Sequence, residues 1–234
     1  MGDQGTKSFS KNKQGNWKYL QFGPVLAGTN VAPELIKELL ERGAKTTESN
    51  VQELAGHIET ENMFTQEDYV WFVENFKDYL IPYFKKLQTP DDPDYYYGMK
   101  SFDRLLLSKL WINYMKKNEF NPPHTHSGSF SFVLYLDVPK DLEEEVGKFK
   151  GTGHAPGTIS FYHGEDQKGI ISAHGIRPIT GDLWIFPATL KHMVPPFRSD
   201  VTRISVSGNI FITDYLNRGQ PIQKGEFTIN NQEE

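Results

Sequence analysis

Apolar residues follow two different periodicities along the chain. In the first hundred or so residues they recur at helical spacing, and from about residue 107 they gather in short β-rich runs separated by Gly, Pro and polar residues. These runs predict strands over residues 110–115, 130–138, 158–163, 183–187 and 203–213. Several short strands at near-regular spacing are typical of a barrel or sandwich. The acidic run 141–145 lies between two of them and is interpreted as a solvated loop.

The first part of the chain predicts two helices preceded by a tail and a strand. Residues 1–16 are polar and rich in Gly, Ser and Lys, which predicts a mobile tail, and the alternation over 17–22 predicts a strand. A short helix follows, with Asn30 as its predicted N-cap, Pro33 in its first turn and Gly43 as its terminator.

A longer helix is predicted to begin at Thr65. Residues 65–68 resemble a capping box with Asp68 in the place of Glu, and apolar positions keep helical spacing from Phe72 to Leu87. Pro82 is expected to kink this helix or divide it. The helices would cover one face of the β-rich part, so we predict a single domain over residues 17–234. Its parts are a strand and helical cover (17–106), a β-rich core (107–215) and a C-terminal extension (216–234).

Composition narrows the chemistry available to this domain. The chain has no cysteine, so any metal must be held by histidine, carboxylate or neutral oxygen ligands. A net charge of -5 without a basic run argues against nucleic-acid binding. No apolar run is long enough to cross a bilayer or resembles a signal peptide, so we expect a cytoplasmic protein that binds no membrane.

Three histidines stand beside predicted strands. His124 and His126 lie just before the strand at 130–138, and His192 lies just after the strand at 183–187. On extended backbone, residues two apart point to the same face, so the first two imidazoles could reach one metal ion. The alternative interpretation is that they are ordinary hydrogen-bonded histidines near turns.

Arg203 and Ser205 add a second feature further along the chain. They share one face of the predicted strand, so a guanidinium and a hydroxyl could grip the same carboxylate. A metal together with an arginine across a barrel interior suits a dicarboxylate such as 2-oxoglutarate, whose keto-acid end chelates iron.

Six segments together resemble a known family. They are WINY at 111–114, NPPHTH at 121–126, SFVLYL at 131–136, GDLWIFP at 181–187, HMVPPF at 192–197 and RISVSGN at 203–209. In order and spacing they resemble the 2-oxoglutarate/Fe(II)-dependent oxygenase superfamily, nearest to a poorly characterised HxH branch of marine bacteria and phages that is related to prolyl and aspartyl/asparaginyl hydroxylases. The resemblance implies a double-stranded β-helix, or jelly roll, with N-terminal helices packed on one face.

The resemblance also implies roles for individual residues. His124 and His192 would bind Fe(II), and with Arg203 they would be the catalytic residues. Arg203 would pair with the far carboxylate of the cosubstrate 2-oxoglutarate, assisted by Ser205 and Tyr135. Asn113 would either hydrogen-bond the cosubstrate or substrate, or be a satisfied core amide.

One position departs from the family pattern. The usual facial triad has a carboxylate two residues after the first histidine, and here His126 occupies that position. We expect His126 to be the third metal ligand. Two alternatives are that only two histidines bind the metal, or that a carboxylate completes the site, with Glu165, Asp182 and Asp200 as candidates.

These features predict a dioxygenase that hydroxylates a C–H bond of an amino-acid, peptidyl or small-molecule substrate and forms succinate and CO2. The main alternative is a three-histidine metalloenzyme of cupin type that does not use 2-oxoglutarate. Arg203 and Ser205 argue against it, because such an enzyme does not need that pair. A third interpretation is a non-enzymatic β-sandwich protein whose histidines are incidental. The sequence leaves the oligomeric state open.

Overall fold

A computed structural model describes residues 6–12, 15–20, 23–53, 55–88, 102–151, 153–165, 172–214 and 221–230. The helices are α1 (Pro33–Gly43), α2 (Gln66–Leu87) and α3 (Lys140–Lys148). The strands are β1 (Thr6–Asn12), β2 (Gly15–Leu20), β3 (Ala27–Asn30), β4 (Glu48–Ser49), β5 (Glu61–Met63), β6 (Arg104–Met115), β7 (Asn121–His124), β8 (Phe130–Asp137), β9 (Ile159–Tyr162), β10 (Ala173–Ile176), β11 (Asp182–Pro187), β12 (Lys191–Val194), β13 (Arg203–Ile212) and β14 (Glu226–Thr228).

Most strands belong to two facing antiparallel sheets. The larger sheet has the order β3-β11-β8-β13-β6-β5-β4, with β14 also paired to β6, and the smaller has the order β10-β9-β12-β7. Neighbours in each sheet are mostly distant in sequence, as in the crossed connections of a jelly roll. The predicted mainly-β, double-stranded β-helix fold with helices packed on one face is confirmed.

The larger sheet separates two apolar layers. One face packs on α1 and α2, where Phe72 stacks on Phe76 at 4.3 Å and on Phe132 of β8 at 5.1 Å between ring centroids. The other face turns Val133 and Tyr135 of β8 toward the smaller sheet. Successive residues of a strand alternate between the two faces, so one strand supplies both layers. The space between the sheets holds the candidate site.

Gly208 allows the helices to pack this closely. A Cβ at this position of β13 would stand 2.6 Å from the ring of Phe132, which is itself stacked on α2. Only glycine leaves room for the aromatic ring between the sheet and the helix.

The strands predicted in the second half of the chain are confirmed. Their ends shift by one residue at most, except that β6 begins at residue 104, six residues before the predicted strand 110–115. The prediction of a solvated loop over residues 141–145 is wrong, because these residues belong to α3. Leu142 and Val146 are four residues apart on its buried face, and the acidic residues occupy its exposed side. The sequence prediction gave weight to the charges and too little to this pair of apolar positions.

Of the predictions for the N-terminal part of the chain, the strand is confirmed and the N-cap residue of the first helix is wrong. The strand predicted over residues 17–22 is β2, which pairs with β1 in a hairpin, so the predicted tail 1–16 contains a strand. Its mobility stays a prediction. Asn30 is not the N-cap of α1: Ala32 holds that position, while Asn30 ends β3 and its amide donates to Asp182 Oδ1 at 2.6 Å.

The longer predicted helix is confirmed as α2. Its N-terminus has the predicted capping box, since Thr65 Oγ1 accepts from the Asp68 backbone N–H at 3.3 Å and Asp68 Oδ2 accepts from the Thr65 N–H at 3.0 Å. The helix continues through Pro82 as one element, so of the two outcomes predicted at Pro82, a kink or a division, the division does not occur. Among the described residues, no helix has both the length and the apolar character needed to span a membrane.

Replacing Thr65 by Ala removes one half of this capping box. We expect Thr65→Ala to lower the free energy of unfolding by about 1 kcal/mol, because a backbone N–H at the start of α2 loses its acceptor. Urea denaturation should show a lower midpoint with an unchanged slope. Thr65→Ser keeps the hydroxyl and should remain near the parent, whereas equal losses in both variants would contradict a capping role.

Candidate active site

The three histidines singled out in the sequence lie together between the sheets. His124 ends β7, and its register partner on β12 is His192. His126 lies two residues beyond the end of β7, where its backbone N–H donates to the carbonyl of Ala188 at 2.9 Å. One ring nitrogen from each histidine falls within 4.8 Å of the others, and His126 Nε2 is 3.2 Å from His192 Nε2.

In two of these imidazole rings, a hydrogen bond determines which nitrogen carries the proton and which keeps its lone pair. His124 Nδ1 lies 2.7 Å from the carbonyl oxygen of Pro122, and His192 Nδ1 lies 2.9 Å from that of Leu190. A carbonyl oxygen only accepts, so both Nδ1 atoms carry the proton and both Nε2 atoms keep a lone pair. This is the outer arrangement typical of metal-binding histidines. These two nitrogens, together with a ring nitrogen of His126, suit a divalent first-row metal such as Fe(II).

Burial keeps the cluster neutral. It lowers the pKa of His192 to about 3 and that of His126 to about 4, and it also lowers the pKa of His124. Mutual repulsion between the imidazolium forms adds to the effect at His192 and His126. At neutral pH all three lone pairs are therefore available, since a metal does not have to displace a proton.

The lowered pKa of His192 predicts how the stability of the metal-free protein changes as the pH falls. The folded pKa of His192 lies below the ordinary value of about 6.5, so the unfolded chain takes up this proton first as the pH falls. Stability should therefore decrease from pH 6.5 toward pH 5, by at most about 1.4 kcal/mol per pH unit from His192. Chelator-treated protein melted across this range should show the decrease, and His192→Phe should show less of it. Equal pH profiles would contradict a neutral His192.

Arg203 lies at the start of β13, 3% exposed, on the face of the strand that is turned to the space between the sheets. Its Nη1 donates to the carbonyl of Gly157 at 2.7 Å, and its Nε has no hydrogen-bond partner among the residues that the structure describes. Gly157 has φ +66°, a left-handed conformation that glycine adopts without strain. Burial lowers the pKa of Arg203, and within the described part of the chain no carboxylate comes within ion-pair distance of it. A buried cation of this kind calls for an anionic ligand.

The other predicted cosubstrate residues surround Arg203. Ser205 pairs in register with Tyr135 on one side and Asn113 on the other, and all three are buried. The Arg203 guanidinium carbon stands 5.4 Å from the Tyr135 ring centroid. The Asn113 amide, oriented to satisfy its neighbours, donates to Glu61 Oε2 at 2.5 Å and accepts from Trp111 Nε1 at 3.1 Å. This geometry favours the core-amide interpretation of Asn113.

One cavity of about 220 Å³ connects the two groups of residues. Its wall includes every site residue predicted from the sequence: His124, His126, His192, Arg203, Ser205, Tyr135 and Asn113. It also includes polar and aromatic residues that the sequence did not indicate, among them Glu61, Lys109, Trp111 and Asn209. Lys109 and Trp111 share a face of β6 with Asn113. Alternation within the predicted strand 110–115 already placed Trp111 on this face, and it would have placed Lys109 there had the strand been predicted to begin before residue 110.

The carboxylates considered as a third ligand lie elsewhere. Asp182 accepts from the Asn30 amide at 2.6 Å, Asp200 is largely exposed and pairs with Lys117, and Glu165 is exposed. In the described part of the chain, the metal-capable cluster around His124 and His192 includes His126 and no carboxylate.

A family model matches the segment of the chain that contains these residues. Residues 109–209 match the model of a family described as "Putative 2OG-Fe(II) oxygenase", which confirms the resemblance given by the sequence motifs and implies Fe(II) and 2-oxoglutarate. This segment contains all three histidines, Arg203, Ser205, Tyr135 and Asn113. No curated protein matches the chain.

Several solved structures are similar to this chain at low sequence identity. A prolyl hydroxylase from Trichoplax adhaerens, in complex with a peptide of the hypoxia inducible factor oxygen degradation domain, is 13% identical with a TM-score of 0.51, over 81% of this chain and 84% of that chain. A Pseudomonas putida prolyl-4-hydroxylase is 14% identical with a TM-score of 0.45, over 80% and 92%. The non-heme alpha ketoglutarate dependent epimerase SnoN from nogalamycin biosynthesis is 12% identical with a TM-score of 0.46, over 88% and 94%.

Proposed function

We propose that this chain, whose residues 109–209 match a 2OG-Fe(II) oxygenase family, is a dioxygenase that hydroxylates a C–H bond of an amino-acid, peptidyl or small-molecule substrate. The overall reaction consumes the substrate, 2-oxoglutarate and dioxygen and yields the hydroxylated product, succinate and CO2. One observation carries the proposal: the same cavity is lined by a cluster of neutral imidazoles and by a buried guanidinium that has no anionic partner within the described part of the chain.

The histidines provide the metal-binding half of the proposed site. His124 and His192 hold their lone pairs inward because the carbonyls of Pro122 and Leu190 fix their Nδ1 protons. Iron bound there with 2-oxoglutarate supplies the activation of dioxygen, while the protein positions the reactants and excludes water. Phe161 and Phe186 lie 5.7 and 5.0 Å from the His192 ring and keep this side of the centre apolar.

Arg203 provides the cosubstrate-binding half of the proposed site. Its guanidinium is held by the Gly157 carbonyl through one N–H, which leaves others to bind the far carboxylate of 2-oxoglutarate. Ser205 lies two residues along β13 from Arg203, and Tyr135 is the register partner of Ser205, with its ring centroid 5.4 Å from the Arg203 guanidinium carbon. Each can donate a hydroxyl proton to the same carboxylate. Burial raises the pKa of Tyr135, so this hydroxyl stays protonated as a donor.

His126 is the proposed third ligand in place of the usual carboxylate. Its Nε2 lies 3.2 Å from His192 Nε2, so that one metal ion could bind both nitrogens. His126→Phe, which keeps a planar ring but no ligand atom, should weaken Fe(II) binding at least tenfold. His126→Asp restores a ligand and should recover much of that affinity. An unchanged iron affinity in His126→Phe would show that two histidines suffice.

A second candidate follows from the same three histidines. A cupin-type metalloenzyme that binds its substrate directly to the metal would use the cluster without needing 2-oxoglutarate. The buried Arg203 argues against it, because such an enzyme leaves this cation without a counter-charge.

The conversion of 2-oxoglutarate tests the proposed function directly. With Fe(II), dioxygen and a candidate substrate present, 2-oxoglutarate labelled at C1 should yield labelled CO2. The yield should disappear with a chelator or under nitrogen. Iron-loaded protein that forms no CO2 with any substrate offered, while it oxidises one without 2-oxoglutarate, would favour the cupin-type alternative.

A further inference from the structure

The two halves of the proposed site belong to different sheets. His192 lies on β12 of the smaller sheet, and Arg203 begins β13 of the larger sheet. A diacid that reaches from a metal at the histidines to the guanidinium must therefore cross from one sheet to the other. The position of the Arg203 guanidinium relative to the smaller sheet then determines which length of diacid fits.

The backbone of Gly157 links the guanidinium to the strands around His192. Its carbonyl accepts from Arg203 Nη1 at 2.7 Å, and its N–H donates to the carbonyl of Pro195 at 3.0 Å. Pro195 directly follows β12, and β9, which begins two residues after Gly157, pairs Phe161 in register with His192. A single residue thus ties the arginine of the larger sheet to the histidine-bearing strand of the smaller sheet.

The turn that contains Gly157 is held in place from two sides. The hydroxyl and the backbone N–H of Thr158 donate to the carbonyl of Ala155, at 2.7 and 3.3 Å. Gly157 has φ +66°, and a Cβ there would lie 3.0 Å from Leu142 of α3 and 3.3 Å from Phe197. Both of these side chains are fully buried, and a close-packed interior gives them little room to move. A side chain at position 157 would therefore displace the carbonyl that holds the guanidinium.

From this arrangement we propose that Gly157 is a positioning residue, which holds Arg203 at the distance from the metal centre that selects 2-oxoglutarate over its longer homologue. The inference rests on the proposed function and assigns the choice of cosubstrate length to one backbone carbonyl. A guanidinium binds a carboxylate through parallel N–H···O bonds of defined geometry. A displaced guanidinium therefore loses more affinity for the diacid that fits than for one that does not.

Calorimetric titration of the anaerobic Fe(II)-loaded protein with three oxo acids tests this inference. They are 2-oxoglutarate, 2-oxoadipate, which is one methylene longer, and 2-oxopentanoate, which has a methyl group in place of the far carboxylate. We expect the parent to prefer 2-oxoglutarate to 2-oxoadipate by at least about tenfold, as a well-placed charge-assisted contact allows. Gly157→Ala should weaken 2-oxoglutarate binding at least about tenfold and reduce that preference at least about threefold. Its affinities for 2-oxopentanoate and for Fe(II), the latter measured by chelator competition, should stay within about twofold of the parent, because neither ligand contacts Arg203.

Gly164→Ala is the matched control. Gly164 is exposed and has φ +71°, so the substitution imposes a similar backbone strain, while the added Cβ would come within 4 Å of no described residue. It should change none of the affinities. Thr158→Val gives an independent test, because it removes the hydroxyl bond of the same turn without a left-handed φ or contact with α3. It should shift the preference in the same direction by a smaller factor, whereas Thr158→Ser should remain near the parent.

The outcomes separate the inference from the proposed function. An unchanged preference in Gly157→Ala overturns the inference, and so does an equal loss of affinity for all three acids, which would mean damage at the metal end. If melting shows that Gly157→Ala is unfolded, an unchanged preference in Thr158→Val decides against the inference in its place. A parent that binds 2-oxoglutarate and 2-oxoadipate equally overturns the inference and leaves the proposed function standing. Iron-loaded parent that binds none of the acids overturns both.

Discussion

His192→Phe is expected to abolish Fe(II) binding at the cluster and all turnover that depends on it. The variant keeps an aromatic ring against Phe161 and Phe186 but removes the Nε2 lone pair. Loss of residues that merely support a metal ligand costs about 10- to 100-fold in affinity, so loss of this ligand should cost at least 100-fold. Iron affinity is measured by competition with a chromophoric chelator, and product formation by succinate release.

The control for this variant is His174→Phe. His174 is exposed on β10 and does not line the cavity, so its replacement should leave iron affinity unchanged. Melting of the metal-free His192→Phe protein separates misfolding from ligand loss, and we expect it to be at least as stable as the parent below pH 6.5, where the parent loses stability. Stoichiometric, tight iron binding by a folded His192→Phe protein would contradict the site.

Arg203→Met is expected to raise the KM for 2-oxoglutarate by roughly 100- to 1,000-fold with little change in iron affinity. A buried, paired carboxylate contact with a guanidinium contributes about 3 to 4 kcal/mol when one partner is truncated, which converts to that range. Arg203→Lys keeps the charge but not the two-pronged donor geometry, and should fall between the parent and Arg203→Met.

Stability distinguishes a ligand-binding arginine from a structural one. Arg203→Met loses the hydrogen bond to Gly157, at a cost of about 1 kcal/mol, but also removes a desolvated cation without an anionic partner among the described residues. These effects oppose each other, so the cosubstrate-free variant should melt close to the parent. Added 2-oxoglutarate should then stabilise the iron-loaded parent and not the variant. A large loss of stability with an unchanged KM would make Arg203 structural.

The sequence predicted the parts of the site that lie close together along the chain or on one strand. His124 and His126 are two residues apart beside an apolar run, and Arg203 and Ser205 alternate on one strand, so local geometry sufficed to predict that they are neighbours. The pairing of His124 with His192 joins strands that lie far apart in sequence, and it was predicted from the resemblance to a family and not from periodicity.

Other features had no local signal. Glu61 belongs to the three-residue strand β5, which is too short to show alternation and enters the cavity wall only because it pairs with β6. Asn30 is a residue type that often caps helix N-termini. In the structure, however, it belongs to β3 and pairs with β11 in the sheet. For Glu61 and Asn30, a strand pairing between distant segments decided the structure. The helix α3 differs, because its two buried apolar positions are a local signal that the prediction outweighed with the exposed charges.

The measurement that tests the central claim most directly is an anaerobic titration of the metal-free protein with Fe(II) and 2-oxoglutarate, followed by visible absorption. We predict a weak charge-transfer band that requires both components, is lost in His192→Phe and needs far more 2-oxoglutarate in Arg203→Met. Iron binding without any band or competition from 2-oxoglutarate would contradict the proposed cosubstrate and favour a three-histidine metalloenzyme. Failure to bind iron at all would show that the histidine cluster is structural.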